Sequence, residues 1–195
     1  MLPNNKAVGP DGVSAEAFKY CPAARDVLFE IILHIWAAED LPASFTTTNF
    51  VILFKGKDSS NNPAKYRCIG LLNHAYKVLS HILLCRLLVY SDDYLQDWQA
   101  GFRESRDNAM ILHTVCQRIL SMVKALAIIF IDYSAAFDSV SHKFIDSTLA
   151  DASLSNKLRV MFRVVYRVAS AFTTVKGPDD TEVKSSIFPI NRGVV

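Results

Sequence analysis

Apolar positions along this 195-residue chain fall into two kinds of run, and the spacing within each run decides the element it predicts. Leu28, Ile31, Ile32 and Ile35 recur at three- and four-residue intervals, the stripe of one helix face. Leu41-Pro42 should end that helix, because proline cannot continue its hydrogen-bond ladder. Ser14 is placed to cap a helix before it. His74 to Tyr90 reads as a buried helix with apolar residues on more than one face. Leu112, Val115, Cys116, Ile119 and Val123 mark an amphipathic helix, and Ser141 to Leu149 and Ser155 to Ala169 mark two more. In the last of these Leu158, Met161, Phe162 and Val165 point inward.

The shorter runs have strand length. Phe50 to Phe54 and Tyr66 to Leu72 flank the polar stretch Lys55 to Lys65, which predicts a hairpin with a long tip. Phe172 to Val175 and Glu182 to Phe188 flank a Gly-Pro-Asp-Asp turn, a second hairpin. Ala125 to Ile131 is a continuous apolar run ending on Asp132, the pattern of a buried strand. With no internal repeat, these elements predict an α+β fold with helices packed on a small, mostly antiparallel sheet.

Composition narrows the class. At 51% hydrophobic and 21% charged residues, the chain can bury one substantial core or two small lobes sharing one. No apolar run is long enough to span a bilayer, and the first residues lack the apolar core of a secretory signal, so an intracellular protein, cytoplasmic or nuclear, is expected. Cys21, Cys68, Cys85 and Cys116 show neither zinc-site nor disulfide spacing and are expected to be reduced core thiols. The net charge of +2 is uneven: residues 1–49 carry −3, 50–106 carry +3, 107–153 carry −2 and 154–195 carry +4. Basic segments on either side of an acidic one suit a polyanion held near a metal-binding carboxylate.

The segment after the third apolar run carries the candidate chemistry. A carboxylate fixed at the end of a strand suits a hard divalent cation, and the backbone carbonyl of Tyr133 can add an oxygen. Ala135 and Ala136 lack bulk, so their N–H groups can approach a triphosphate, and Phe137 can close the floor of a sugar pocket against a 2′-hydroxyl. The competing reading makes Asp132 a carboxylate that caps a strand end or turn. Asp138 is structural on either reading, an N-cap near the Ser141 helix. Arg159, Arg163 and Arg167 recur every four residues, either as a solvated face or as a track for a nucleic-acid backbone. An aspartyl-phosphate phosphatase would also place an Asp after a strand, but it wants a second acid two residues on, where Ser134 stands.

Phe130-Ile131-Asp132-Tyr133-Ser134-Ala135-Ala136-Phe137-Asp138-Ser139-Val140 resembles the palm motif FxDYSKAFDSV of non-LTR (LINE-like) retrotransposon reverse transcriptases. Other blocks follow in that family's order. Asn5 to Gly12 (NKAVGPDG) resembles NKAPGPDG, Tyr66 to Asn73 (YRCIGLLN) resembles YRPISLLN, Trp98 to Arg103 resembles the QxGFR block, and Asn191 to Val194 resembles the start of RGVxQG.

The resemblance implies a right-hand polymerase, with fingers mainly in residues 1–106 and a partial palm in 107–195. It implies that Asp132 is the catalytic residue and, with Tyr133, a ligand of Mg²⁺ (or Mn²⁺). Phe137 becomes the steric gate. Lys55 and Arg67 face the incoming triphosphate beside Ala135 and Ala136, with Lys57 an equally placed competitor of Lys55. The QxGFR resemblance turns Arg103 and Arg106 toward the template, and Arg163, from the four-residue arginine spacing, is the third expected nucleic-acid contact. RNA template, DNA primer and deoxynucleoside triphosphates are the implied partners, without a membrane.

Tyr90-Ser91-Asp92-Asp93 spells the family's later YxDD box but precedes the palm motif on a predicted helix, so it is expected to be a solvated helix end. Cys68 replaces the usual proline, Ala135 replaces lysine, and Glu104 and Asp107-Asn108 alter the stretch after GFR. With one of three catalytic carboxylates, the chain is expected to lack polymerase activity on its own. The alternatives are a non-catalytic remnant that binds RNA or an RNA–DNA hybrid, and a foldable fragment without a partner.

Overall fold

The computed structural model of the chain describes residues 2–54, 56, 66–122, 124–176, 179 and 181–193. Its elements run α1 (Ala15–Tyr20), α2 (Pro22–Ala38), α3 (Ala43–Thr46), β1 (Thr48–Phe54), β2 (Tyr66–Leu71), α4 (His74–Tyr94) and α5 (Asn108–Ser121), then α6 (His142–Asp151), α7 (Asn156–Val168), β3 (Ser170–Lys176), β4 (Glu182–Lys184) and β5 (Phe188–Pro189). This is the expected α+β architecture.

The core is helical. From α2 the stripe Leu28, Ile32 and Ile35 is buried, joined by Leu41 just past the helix end. Facing it are Tyr76, Leu79 and Leu83 of α4 and Leu158, Met161, Val164 and Val165 of α7, with Leu149 and Leu154 closing one side. Each such side chain contributes about 1.5–3 kcal/mol by leaving water, so this cluster dominates the stability of the fold. Ile31 departs from expectation and is exposed, because the covered stripe is narrower than the apolar one. Helix α4 also divides: its first three turns are buried, while Leu84, Leu88 and Val89 face solvent.

The sheet joins distant parts of the chain. β1 pairs antiparallel with β2, from Asn49 opposite Leu71 to Phe54 opposite Tyr66, which is the expected hairpin. Its tip lies outside the described residues except for Gly56. β1 also pairs in parallel with β3, which in turn takes β4 and β5 antiparallel at different points along its length. At the foot of this parallel pair the buried Thr46 hydroxyl can donate to the carbonyls of Ala43 and Val168, 3.2 and 2.9 Å away.

Helix starts follow local chemistry. Ser155 accepts from Leu158 N and Asp107 from Ala109 N and Met110 N. Ser141, not Asp138, caps α6, accepting from Phe144 N. A cap must directly precede the first helical residue, and Asp138 sits four residues upstream of His142. The cysteines are free as expected, but their burial is corrected: Cys21, Cys68 and Cys85 are exposed and Cys116 is half-buried. Each lies where no core element covers it, which overrides the general tendency of free thiols. Among the described residues no helix is long and apolar enough to cross a membrane.

Candidate functional site

The largest departure from sequence expectation is at the palm-like segment. Ala125 to Ile131 forms no strand; residues 124–133 are irregular and 134–139 are turn. Ile129, Phe130 and Ile131 are 86%, 80% and 76% exposed. A strand exists only when a neighbour takes its N–H and C=O groups, and the five strands of the sheet pair among themselves. Helix α5, just before this segment, forms but buries no residue, so its apolar face is also uncovered. Val123, the last position of that stripe, lies outside the described residues.

Asp132 is exposed and makes no hydrogen bond or ion pair among the described residues. Beyond it the chain tightens. Ala135 takes a left-handed φ of 50°, Ser139 N donates to the Ala135 carbonyl at 3.0 Å, and Val140 N to that of Phe137 at 3.4 Å. The Phe137 ring meets that of Phe102 edge-on, 5.8 Å between centroids at 79°. Gly193, at φ +92°, packs on this turn, where a Cβ would lie 3.3 Å from Asp138 Cα. Its N–H donates to the Val140 carbonyl at 2.8 Å, and Arg192 bridges to Ser141. Residues of three sequence blocks, Phe102 of GFR, the FIDYSAAFDSV turn and Arg192-Gly193, therefore meet around Phe137 and Asp138.

From Gly193 the structure leads back to the hairpin. Ile190 N donates to the Ala169 carbonyl, β5 pairs with the start of β3, and Phe188 stacks near Phe50 of β1 at 6.4 Å. Arg67 stands on β2 opposite Leu53, exposed. No hydrogen bond or ion pair joins Arg67 to Asp132 among the described residues. Lys55 and its competitor Lys57 lie outside the described residues.

The three arginines expected to touch nucleic acid are engaged within the chain. Arg103 donates to Asp92 at 3.0 Å and reaches the carbonyls of Gln96 and Gln99, its side chain only 12% exposed. Arg106 pairs with Asp97 at 3.2 Å. Arg163 grips both oxygens of Asp146 at 2.7 and 3.0 Å, and Arg159 reaches the same carboxylate at 3.7 Å. The Arg163 hydrogen bond, against a smaller opposing effect of burial and with both positive charges helping, holds the Asp146 carboxyl below its ordinary range. Tyr90 to Asp93 lie in the last turns of α4, and Asp92 serves as the partner of Arg103, so this tetrapeptide is a helix end and not a hairpin box.

A junction that sequence reasoning passed over is the start of α4. Asn73, buried, accepts from Asp11 N at 3.2 Å and donates to the Ser44 carbonyl at 3.0 Å. His74 Nδ1 donates to the Val13 carbonyl at 3.0 Å, the one sense in which a ring nitrogen can bond a carbonyl. Gly9 lies so close that a Cβ would fall 2.5 Å from Asn73 N and 2.6 Å from its Cα. The NKAVGPDG block is thus latched to the YRCIGLLN block. Its signal was present, since Asn73 and Gly9 both belong to blocks that resemble the family.

A divalent ion needs several hard oxygens. Among the described residues no group of three His, Cys, Asp or Glu side chains is gathered to hold one. Asp132 with the Tyr133 carbonyl supplies part of such a set and does not make a metal site by itself.

The profile of the family described as reverse transcriptase (RNA-dependent DNA polymerase) matches residues 55–185. The chain belongs to that family. The reverse transcriptase domain is 25% identical over 183 residues, 90% of this chain, to the Transposon TX1 uncharacterized 149 kDa protein of Xenopus laevis. It is also 25% identical over 164 residues, 83% of this chain, to the retrovirus-related Pol polyprotein from type-1 retrotransposable element R2 of Nasonia vitripennis. The expected kinship with non-LTR retrotransposon proteins is borne out. The domain spans 14% and 15% of the length of these relatives. Divalent metal ions are the general cofactor of reverse transcriptases.

Proposed function

We propose that this domain is the fingers and partial palm of an RNA-directed DNA polymerase, whose reaction adds deoxynucleotides to a DNA primer along an RNA template. Fingers drawn mainly from residues 1–106 and palm from 107–195 would share one sheet through β1 and β3. The observation that supports this best is the meeting of three family-like blocks around Phe137 and Asp138, a few residues along the chain from the exposed Asp132.

In this reading Asp132 and the Tyr133 carbonyl would contribute to holding Mg²⁺ (or Mn²⁺), which when bound activates the primer hydroxyl and steadies the leaving pyrophosphate. Ala135 and Ala136 leave room for the triphosphate, and Phe137 excludes a ribose 2′-hydroxyl. Arg67, exposed on the hairpin and without an internal partner among the described residues, is free to grip a phosphate bidentately, with Lys55 beside it in sequence. Arg103, Arg106 and Arg163 would reach a strand only through donors their carboxylate partners leave over.

A second reading is favoured by a specific observation. With one carboxylate in place of a cluster, the domain alone is suited to holding RNA or an RNA–DNA hybrid without turnover. Primer extension and hybrid binding on the purified chain separate the two. We expect no extension above background and salt-sensitive hybrid binding that survives Asp132→Ala. Extension that Asp132→Ala abolishes would reject the non-catalytic reading. Absence of any hybrid binding at low salt would reject both.

A further inference from the structure

Away from the Asp132 segment, α6 and α7 enclose a cleft of about 210 Å³. Its floor is apolar, made by Ile145, Leu149 and Phe162, and one wall is the ring pair His142–Tyr166, 4.7 Å between centroids at 38°. Arg163 and Arg167 stand at the rim. His142 Nε2 is buried in this wall with no hydrogen-bond partner. A buried polar atom left unpaired is destabilising, and native structures leave few.

Arg163 and Arg167 keep donors to spare. Asp146 gives both oxygens to Arg163, and Arg167 uses one amine on Asp40 at 2.9 Å. Arg163 Nη1 and the rest of the Arg167 guanidinium make no hydrogen bond among the described residues. The cleft therefore offers donors at its rim, a ring nitrogen at its wall and a flat apolar floor. An occupant that matches has a planar, weakly polar ring and an anionic, acceptor-only group a few ångströms away.

We propose that the α6–α7 cleft binds a nucleoside 5′-phosphate, its base laid on Ile145 and Phe162 against the His142–Tyr166 wall and its phosphate on the free donors of Arg163 and Arg167. The same chemistry is presented by a free nucleotide and by one nucleotide of a single strand. The inference does not rest on the polymerase reading, since no lining residue lies in the 124–139 segment, and Asp132→Ala is expected to leave it untouched.

The test follows the His142 imidazole resonance of the full chain, assigned with His142→Gln, during titration with AMP, adenosine, inorganic phosphate and a short single-stranded oligonucleotide. AMP is expected to move it saturably, and adenosine and phosphate each to do so much more weakly. Tighter binding of the oligonucleotide assigns the site to a strand, and equal or weaker binding to a free nucleotide. Arg167→Gln, whose pair with Asp40 is exposed, should keep the fold and weaken AMP about five- to tenfold by loss of a charge-assisted bond. Phosphate or adenosine alone matching AMP, no movement with any nucleotide, or an Arg167→Gln variant that binds as well as the parent would each overturn the proposal.

Discussion

The helices α2, α4 and α7 and the stretch from α5 through residue 137 carry similar apolar patterns and meet opposite fates. In the first group the stripe is covered, down to 0% exposure at Leu79 and Met161. In the second, Met110, Leu120, Phe130 and Ile131 all stand more than 60% exposed. Periodicity reports which side of an element is apolar, and burial requires another part of the fold to lie against it. α5 shows the distinction most simply: its cap and period produced a helix, and none of its residues is buried.

This contrast can be broken most severely in the core. Leu79→Ala or Met161→Ala should cost about 2–5 kcal/mol in urea unfolding, whereas a comparable loss for Ile129→Ala would show that the exposed segment is packed after all. The latch at α4 comes next. Gly9→Ala forces a methyl group onto Asn73 and should cost about 1–3 kcal/mol, more than the same change at Gly12, where nothing lies within 4 Å and only the φ of +69° is strained.

A smaller effect is expected from acid. The Asp146 carboxyl is held below its ordinary range in the folded chain, chiefly by Arg163. Stability from this pair is present in full above the unfolded carboxylate range and fades as pH falls through the depressed value. Arg163→Gln should therefore flatten the acid limb of a stability–pH curve while changing stability at pH 7 only slightly. The smallest change belongs to the uncovered segment: Ile129→Ser should shift stability by less than about 0.5 kcal/mol. Amides 125–131 should exchange hydrogen far faster than those of β1 and β3. Strong protection there would sink the contrast.

The same logic separates what was legible in the sequence from what was not. The pairing of β1 with β2, the start of α7 at Ser155 and the pairing of β3 with β4 were readable because caps, turns and alternation act over a few residues. The palm strand was not, because Ala125 to Ile131 has the right side chains and lacks, among the described residues, a strand to pair with. The internal pairing of the arginines was hidden for a related reason. Their spacing was visible, but their partners Asp92, Asp97, Asp146 and Asp40 lie from 9 to 127 residues away. Of the candidate site, the convergence at Phe137 was carried by resemblance between blocks, since nothing local in Phe102 or Gly193 announces a neighbour so far along the chain.

The parallel pairing of β1 with β3 also has a consequence for biosynthesis. Thr48 faces Ala171, and the Thr46 hydroxyl rests on Val168, 122 residues later. A ribosome must release a further 122 residues before the first hairpin finds its inner neighbour, and closing so long a loop is slow. In the interval β1 presents an unpaired, valine- and isoleucine-bearing edge, the kind of surface to which chaperones and other nascent chains adhere.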